Sequence, residues 1–177
     1  MDKIYIDANK VLKDSFQLAK NIYNSGFKPD AMIVLWRGGS NVGMIINEFF
    51  EYKGENPYHG IIKAKSYTGI EERTKVNVEG SEHILDKISK GDKVLVIDDI
   101  FDSGKTVEKI KELVNGKSDN VKIATLYYKP KNNITNIKPD FYLNKVDDWI
   151  VFPHELMGLT KNEVYKKGKE IGEIIFE

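Results

Sequence analysis

The chain lacks cysteine, and this absence removes several classes of chemistry at once. With no cysteine among 177 residues, disulfides, thiolate nucleophiles and zinc-cysteine sites are excluded. The three histidines, at positions 59, 83 and 154, are scattered without ligand-like spacing, which argues against a zinc site built on histidine. Any catalytic chemistry must therefore use groups other than thiols and zinc.

The sequence also lacks an excess charge of either sign and a long apolar run. Lys plus Arg and Asp plus Glu both number 27, so no global charge draws the chain toward nucleic acid or an anionic membrane. No stretch approaches the roughly 20 apolar residues of a membrane span, and the first residues show no signal-peptide pattern. We expect a cytoplasmic protein that binds neither nucleic acid nor membrane, and that holds any anionic ligand by local geometry.

Hydrophobic patterning predicts one α/β domain comprising residues 1–177. Hydrophobic residues make up 41% of the chain, enough for the core of a single domain. Strand-like segments are predicted at residues 31–36, 58–67, 93–98 and 121–128. Helical spacing of apolar residues is found at residues 9–25, 42–54, 82–91, 105–116 and 161–175. This alternation predicts a mainly parallel twisted sheet flanked by helices.

One stretch, "VLVIDDIFDSGKT" from Val94 to Thr106, combines three aspartates with a phosphate-binding turn. In a parallel sheet, ligands bind beyond the carboxyl ends of the strands, and Asp98 stands where this strand is predicted to end. The following backbone amides lie at a predicted helix N-terminus, which favours an anion. A nucleotide P-loop requires glycine in place of Asp99. An ordinary acidic turn does not explain all three aspartates together.

Carboxylates beside a phosphate site suit a ligand with hydroxyls next to its phosphate. Ionised carboxylates only accept hydrogen bonds, so they pair with the hydroxyls of a ribose 5-phosphate and with a hard divalent cation. The stretch resembles the phosphoribosyl pyrophosphate (PRPP) signature of the type I phosphoribosyltransferases. The resemblance implies that Asp98 and Asp99 hold Mg²⁺ directly or through water, and that Asp102 is the catalytic general acid/base. The implied ribose and 5-phosphate set is Asp98, Asp99, Asp102, Ser103, Gly104, Lys105 and Thr106.

A second anion site is predicted in "WRGGSNVG", which follows the first buried strand. Arg37 can donate two hydrogen bonds to pyrophosphate oxygens, and Gly38 lets the backbone approach the pyrophosphate closely. The turn resembles the pyrophosphate loop of the same family, which often has a non-proline cis peptide after the arginine position. The resemblance also implies a flexible lid at about 66–78 that closes over the site and excludes water. Arg73 is the expected pyrophosphate contact on that lid, with Lys75 as the other choice.

Two later motifs suggest which base would accept the ribose 5-phosphate group. Lys129 in "YYKP" offers only donors, which favours a purine 6-oxo group over the 6-amino group of adenine. Trp149 in "DDWIVFPHE" offers a flat face for stacking. Together the motifs resemble the 6-oxopurine branch of the family, in particular the xanthine-guanine type. By this resemblance Lys129 would contact O6 of the purine, Trp149 would stack on its ring, and the backbone of Ile150 would contact its 2-position. Residues of about 130–160, together with the terminal segments, would form a hood over the base.

The resemblance therefore implies a magnesium-dependent purine salvage enzyme. It would transfer ribose 5-phosphate from PRPP to guanine, hypoxanthine or xanthine, releasing pyrophosphate, and would act as a homo-oligomer, either a dimer or a tetramer. Two alternatives stay open: transfer to orotate or another pyrimidine, and a non-catalytic PRPP-binding transcriptional regulator. His154 replaces a bulkier aromatic residue of some members, and the tail after Thr160 has no counterpart in the resemblance. The preferred purine and the role of the tail are therefore left open.

Overall fold

The computed structural model describes residues 3–66 and 76–177. The strands in these ranges are β1 (Lys3–Tyr5), β2 (Ala31–Trp36), β3 (Tyr58–Ser66), β4 (Val76–Glu79), β5 (Lys93–Phe101), β6 (Asn120–Tyr128), β7 (Phe141–Lys145) and β8 (Trp149–Val151). The helices are α1 (Ala8–Asn24), α2 (Gly39–Tyr52), α3 (Glu82–Leu85), α4 (Lys105–Asn115), α5 (Lys161–Tyr165) and α6 (Lys169–Phe176). In this part of the chain, no helix has both the length and the apolar character needed to cross a membrane.

The main sheet has the strand order β4-β3-β2-β5-β6-β7. All of its neighbouring pairs are parallel except β3 with β4. Helices α1 and α2 pack on one face around Leu95 and Ile97, while α3 and α4 pack on the other around Val94 and Val96. Burial on both faces explains why β2 and β5 are continuously apolar. The predicted α/β class with a mainly parallel sheet flanked by helices is confirmed.

Strand β5 is longer than predicted. It continues past Asp98 to Phe101 because Ile100 and Phe101 pair with Tyr127 and Tyr128 of β6. Both aspartates of the acid pair therefore lie within a hydrogen-bonded strand, where their positions are set by the sheet. The prediction that the strand ends at Asp98 was wrong, because aspartate is normally unfavourable in strands and only the pairing with β6 outweighs this preference.

Three further boundaries differ from the sequence predictions. Helix α3 stops at Leu85 rather than continuing to residue 91, and the N–H of Ser89 is bound by the Asp92 carboxylate instead of by a helical carbonyl. The last residues of the predicted lid, about 66–78, belong to strand β4, which is antiparallel to β3. The last predicted helix is split at Gly168, whose φ of 154° lies in a region that favours glycine.

The two ends of the described chain meet beside the main sheet. Strand β1, which the sequence patterns did not reveal, pairs in parallel with β8, and Lys3 lies opposite Trp149. Helix α5 begins at the predicted capping box of Thr160 and Glu163, which is confirmed. The predicted single domain of 1–177 and the limits of the hood and lid stay predictions, and residues 67–75 of the lid lie outside the described residues.

An ion pair between Lys3 and Glu163 links β1 to α5. It should make the free energy of unfolding depend on pH in the acid range. The two charged atoms lie 2.6 Å apart. The hydrogen bond from Lys3 is the main cause that lowers the pKa of Glu163 to about 2, with a further contribution from the Thr160 backbone. Because the pKa is depressed in the folded state, this stabilisation is present at neutral pH and is lost as the pH falls from about 4.5 toward about 2.

We expect Glu163→Gln to lower the midpoint of urea unfolding at neutral pH. The difference from the wild type should shrink below a pH of about 4.5, and also in high salt, because the pair is partly exposed. Glu173→Gln is the matched control, since Glu173 pairs with Lys169 within the exposed surface of one helix. A difference that stayed constant down to a pH of about 3 would contradict the role of the ion pair.

Candidate active site

The predicted phosphate-binding turn lies between β5 and α4. Gly104 caps α4 with φ of 84°, a left-handed conformation that glycine adopts at low cost. A side chain there would also overlap Thr135 and crowd Asn133. The turn lines a cavity of about 270 Å³ together with Asp98 and Thr106. Its backbone amides open a helix, so the cavity is suited to a phosphate group.

The acid pair stands at the inner edge of this turn. Asp99 is only 6% exposed, and its backbone N–H donates to Asp98 Oδ1 at 3.0 Å. Burial raises the pKa of Asp98 to about 7, although hydrogen bonds from the Asp99 and Gly39 backbones oppose the shift. Burial, together with the charges of Asp98 and Glu155, also raises the pKa of Asp99 well above its ordinary value. The two carboxyls therefore form a site that a cation or hydroxyl donors would stabilise.

The glycine turn after β2 closes directly onto the acid pair. A side chain at Gly38 would overlap the Asp99 carboxylate, and one at Gly39 would overlap the backbone carbonyl of Ile97. The cis peptide joins Trp36 to Arg37, so it precedes the arginine, whereas the resemblance implies one after it. Arg37 is exposed to solvent beside the pair. The absence of two side chains thus allows the predicted pyrophosphate turn to contact β5.

These parts surround one larger cavity of about 710 Å³. The predicted residues in its wall are Arg37, Gly38, Asp98, Asp99 and Thr106. Asp98 and Thr106 also line the smaller cavity of the phosphate turn, so the two spaces adjoin. The structure therefore brings the predicted ribose, phosphate and pyrophosphate residues to one edge of the sheet. Arg73 lies outside the described residues.

Sequence reasoning missed three polar residues in the wall of the larger cavity: Lys63, His154 and Glu155. Lys63 lies within β3, where it pairs with Glu79 at 2.8 Å and belongs to no motif. His154 was noted only as a departure from the family. Its Nε2 lies 3.6 Å from Asp99 Oδ2, and its ring stacks on Phe152 with centroids 5.7 Å apart. Burial lowers the pKa of His154 and raises that of Asp99, so burial disfavours the charged form of both partners.

Of the predicted base-binding residues, Lys129 approaches both Asp102 and Trp149. The ammonium of Lys129 lies 4.0 Å from Asp102 Oδ2 and 5.8 Å from the ring centroid of Trp149. The N–H of Lys129 donates to the carbonyl of Phe101 at 2.9 Å, which fixes the start of the loop after β6. Trp149 is 54% exposed, whereas the side chain of Ile150 is buried.

A further missed residue, Asn132, holds the other oxygen of Asp102. Asn132 Nδ2 donates to Asp102 Oδ1 at 2.7 Å, and the nearby N–H of Ile134 donates to the carbonyl of Ser103 at 3.1 Å. The segment after Lys129 is rich in Asn and Lys. No local signal marked it, because asparagine is common in loops. The structure folds this segment over the phosphate turn, so Asp102 is oriented from outside its own motif.

Within residues 3–66 and 76–177, no three His, Asp or Glu side chains converge as ligands for a metal ion. The donor set at the site is the pair Asp98 and Asp99, whose hard oxygens suit Mg²⁺. Two protein ligands leave most of the octahedral positions of Mg²⁺ to water and to substrate oxygens, which is usual for magnesium at phosphate sites. The residues present therefore fit a metal that arrives with a phosphorylated substrate.

Comparisons with known proteins agree with this geometry. The hypoxanthine-guanine phosphoribosyltransferase of Lactococcus lactis is 35% identical over 96 residues, 47% of this chain and 51% of that protein, so the chain spans about half the length of this relative. The xanthine-guanine phosphoribosyltransferase of Cereibacter sphaeroides is 28% identical over 92% of both chains. The structure of a purine phosphoribosyltransferase from Pyrococcus horikoshii superimposes with a TM-score of 0.69 at 30% identity, covering 90% of this chain and 98% of that one. A family model described as the phosphoribosyl transferase domain matches residues 3–157, and the chain belongs to this family.

Proposed function

We propose that this phosphoribosyltransferase is a purine salvage enzyme that transfers ribose 5-phosphate from PRPP to a 6-oxopurine. The products are a nucleoside monophosphate and pyrophosphate. The observation that carries the proposal is the position of Asp102 between the phosphate turn and the pair of Lys129 and Trp149, with its carboxylate 4.0 Å from the lysine ammonium. The names of the relatives support purine as the acceptor.

The sugar phosphate would lie along the edge of the sheet. Ser103 to Thr106 bind the 5-phosphate through backbone amides and two hydroxyls at the start of α4. Asp98 and Asp99 accept hydrogen bonds from the ribose hydroxyls. The same two residues would hold Mg²⁺, directly or through water, and the ion supplies positive charge for the leaving pyrophosphate. The raised pKa of both carboxyls supports this role. Burial disfavours the charged form of both carboxyls, and a bound cation would offset this effect.

Pyrophosphate would leave into the larger cavity. Arg37 reaches its oxygens, and the backbone at Gly38 approaches closely because no side chain intervenes. Arg73 on the lid would add a further contact when the lid covers the site. Fixed donors around the leaving group stabilise the charge that develops on it as the glycosidic bond breaks. The negative pair Asp98 and Asp99 would at the same time stabilise positive charge on the ribose.

The purine would bind on the other side of Asp102. Lys129 donates to the 6-oxo group, Trp149 stacks on the ring, and the Ile150 backbone meets the 2-position. Asn132 occupies Asp102 Oδ1, so Oδ2 is the oxygen left to exchange a proton with the imidazole ring of the base. The expected dimer or tetramer and the cytoplasmic location stay predictions.

A panel of acceptors tests this function. Purified protein is assayed with PRPP and Mg²⁺ against guanine, hypoxanthine, xanthine, adenine and orotate, with EDTA as the metal-free control. We expect at least one 6-oxopurine to exceed adenine and orotate by about 100-fold or more in kcat/KM, because Lys129 has no acceptor for a 6-amino group. Orotate as the preferred acceptor would identify a pyrimidine enzyme. No turnover despite tight PRPP binding would favour the regulator.

A further inference from the structure

The tail of the chain lies outside the matched family domain, yet it contacts a turn that lines the larger cavity of the site. The family model ends at residue 157, and the next twenty residues form α5 and α6 with a turn between them. Gly172 of α6 packs so closely on the Tyr165 ring of α5 that a side chain there would overlap it. The two short helices therefore pack against each other, and this packing fixes the position of the turn that joins them, residues 166–168.

Lys167 extends from this turn to residues 152–155, of which His154 and Glu155 line the larger cavity. Its Nζ donates to the carbonyl oxygens of Phe152 at 2.6 Å and of Glu155 at 2.5 Å. Burial lowers the pKa of the Lys167 ammonium, and the nearby Glu155 charge opposes that shift. A partly buried ammonium with two carbonyl acceptors is a charge-assisted contact, which is stronger than one between neutral groups. Lys166, its neighbour in the same turn, is exposed.

The two carbonyls stand at the start and end of one tight turn, residues 152–155. The side chain of Glu155 folds back to accept from the Phe152 N–H at 3.0 Å, and Phe152 is buried in the core. Between them, His154 stacks on Phe152 and approaches Asp99. Lys167 thus joins both ends of a turn that presents His154 and Glu155 to the acid pair.

We propose that Lys167 is a positioning residue for PRPP: it holds the 152–155 turn, and through it His154 and Glu155, against the pyrophosphate end of the cavity. The inference rests on the proposed function for the identity of the ligand. It assigns the tail beyond the family domain to the active-site wall of this protein. The turn shares its cavity with Arg37, Gly38 and the acid pair, whereas Lys129 and Trp149 lie outside that lining. Loss of the Lys167 contacts should therefore weaken the binding of PRPP more than the binding of the purine.

Lys167→Met tests the proposal, since methionine keeps an unbranched apolar stem and removes the donors. Lys166→Met is the matched control in the same turn. We expect Lys167→Met to raise the Kd and KM for PRPP in the presence of Mg²⁺ by about tenfold, the loss typical of a hydrogen bond to a charged group. The KM for the purine should stay within about twofold and kcat within about threefold of wild type. Lys167→Arg, which keeps charge and donors, should recover part of the PRPP affinity.

Calorimetric titration with PRPP and Mg²⁺ measures the Kd without any need for turnover. If the wild type binds PRPP but transfers ribose 5-phosphate to no base, the proposed function fails. The effect of Lys167 on PRPP binding can still be measured in that case. A purely structural role would lower the melting temperature of Lys167→Met and leave the Kd for PRPP of its folded fraction unchanged, which would overturn the proposal. Equal increases in the KM of both substrates would overturn it as well. If Lys167→Met does not fold, Lys167→Gln, which keeps one donor group, should show a smaller loss in the same direction.

Discussion

Asp102→Asn is expected to lower kcat by about 100-fold to 10,000-fold, the usual contribution of a general acid/base, and to leave the Kd for PRPP within about twofold. The amide has nearly the shape of the carboxylate and still offers an oxygen to Asn132. It cannot exchange a proton with the base, however, and it leaves the Lys129 ammonium without its carboxylate neighbour. The backbone amides proposed to bind the 5-phosphate are unaffected, so the substitution should lower kcat rather than the affinity for PRPP.

Steady-state kinetics with both substrates, together with a direct titration of PRPP, separate these effects. Asp147→Asn is the control, because Asp147 forms an ion pair with Lys131 at 2.6 Å in the same region and lines neither cavity of the site. Wild-type turnover by Asp102→Asn would show that another group handles the proton. A large rise in the Kd for PRPP with unchanged kcat would instead place Asp102 in the phosphate site alone.

Gly38→Ala should lower kcat/KM for PRPP by about 100-fold, because a displacement of about 1 Å at a reacting group can cost that much. The backbone at Gly38, with φ of −58° and ψ of −43°, suits alanine, so the substitution introduces no torsional strain. The new methyl group would overlap the Asp99 carboxylate. Asp99 must move, and both the acid pair and the pyrophosphate turn lose their geometry. Overpacking of this kind typically costs about 1–3 kcal/mol of stability.

Gly116→Ala provides the contrast, since its φ is −69° and its added methyl would lie 3.9 Å from the nearest atom, the Leu113 carbonyl oxygen. That variant should keep full activity and gain about 0.4–1 kcal/mol, as expected where alanine fits an existing glycine conformation. The two variants are compared by urea unfolding and by kcat/KM for PRPP. Full activity in Gly38→Ala would show that close contact between the turn and Asp99 is not required.

Much of the fold could be predicted from local pattern. The alternation of apolar strands with helical segments gave the α/β class and the mainly parallel sheet. The strand, acid pair and phosphate turn between Val94 and Thr106 are contiguous, so their resemblance to the PRPP signature predicted the family, which the match to the family model confirms. The capping box at Thr160 is likewise a local signal, and the structure confirms it. These features share one property, since each depends on residues that are neighbours in the chain.

Other elements could not be predicted because their partners are distant. Strand β1 has three residues and is stabilised by β8 near the opposite end of the chain. Strand β5 passes through two aspartates because β6 pairs with its last residues. A short or polar segment has little strand preference of its own, so pairing decides its conformation.

The sequence by itself determined the chemical groups at the centre of the site: the carboxylates, the phosphate turn, and the cationic and aromatic groups proposed to bind a base. Only the tertiary structure decided what surrounds them. It brought Asn132 to Asp102, His154 to Asp99 and Lys167 to the turn that carries His154. The physical reason is that a motif encodes backbone conformation and charge over a few residues, whereas the position of a side chain against another segment exists only once the sheet has assembled and both segments are packed.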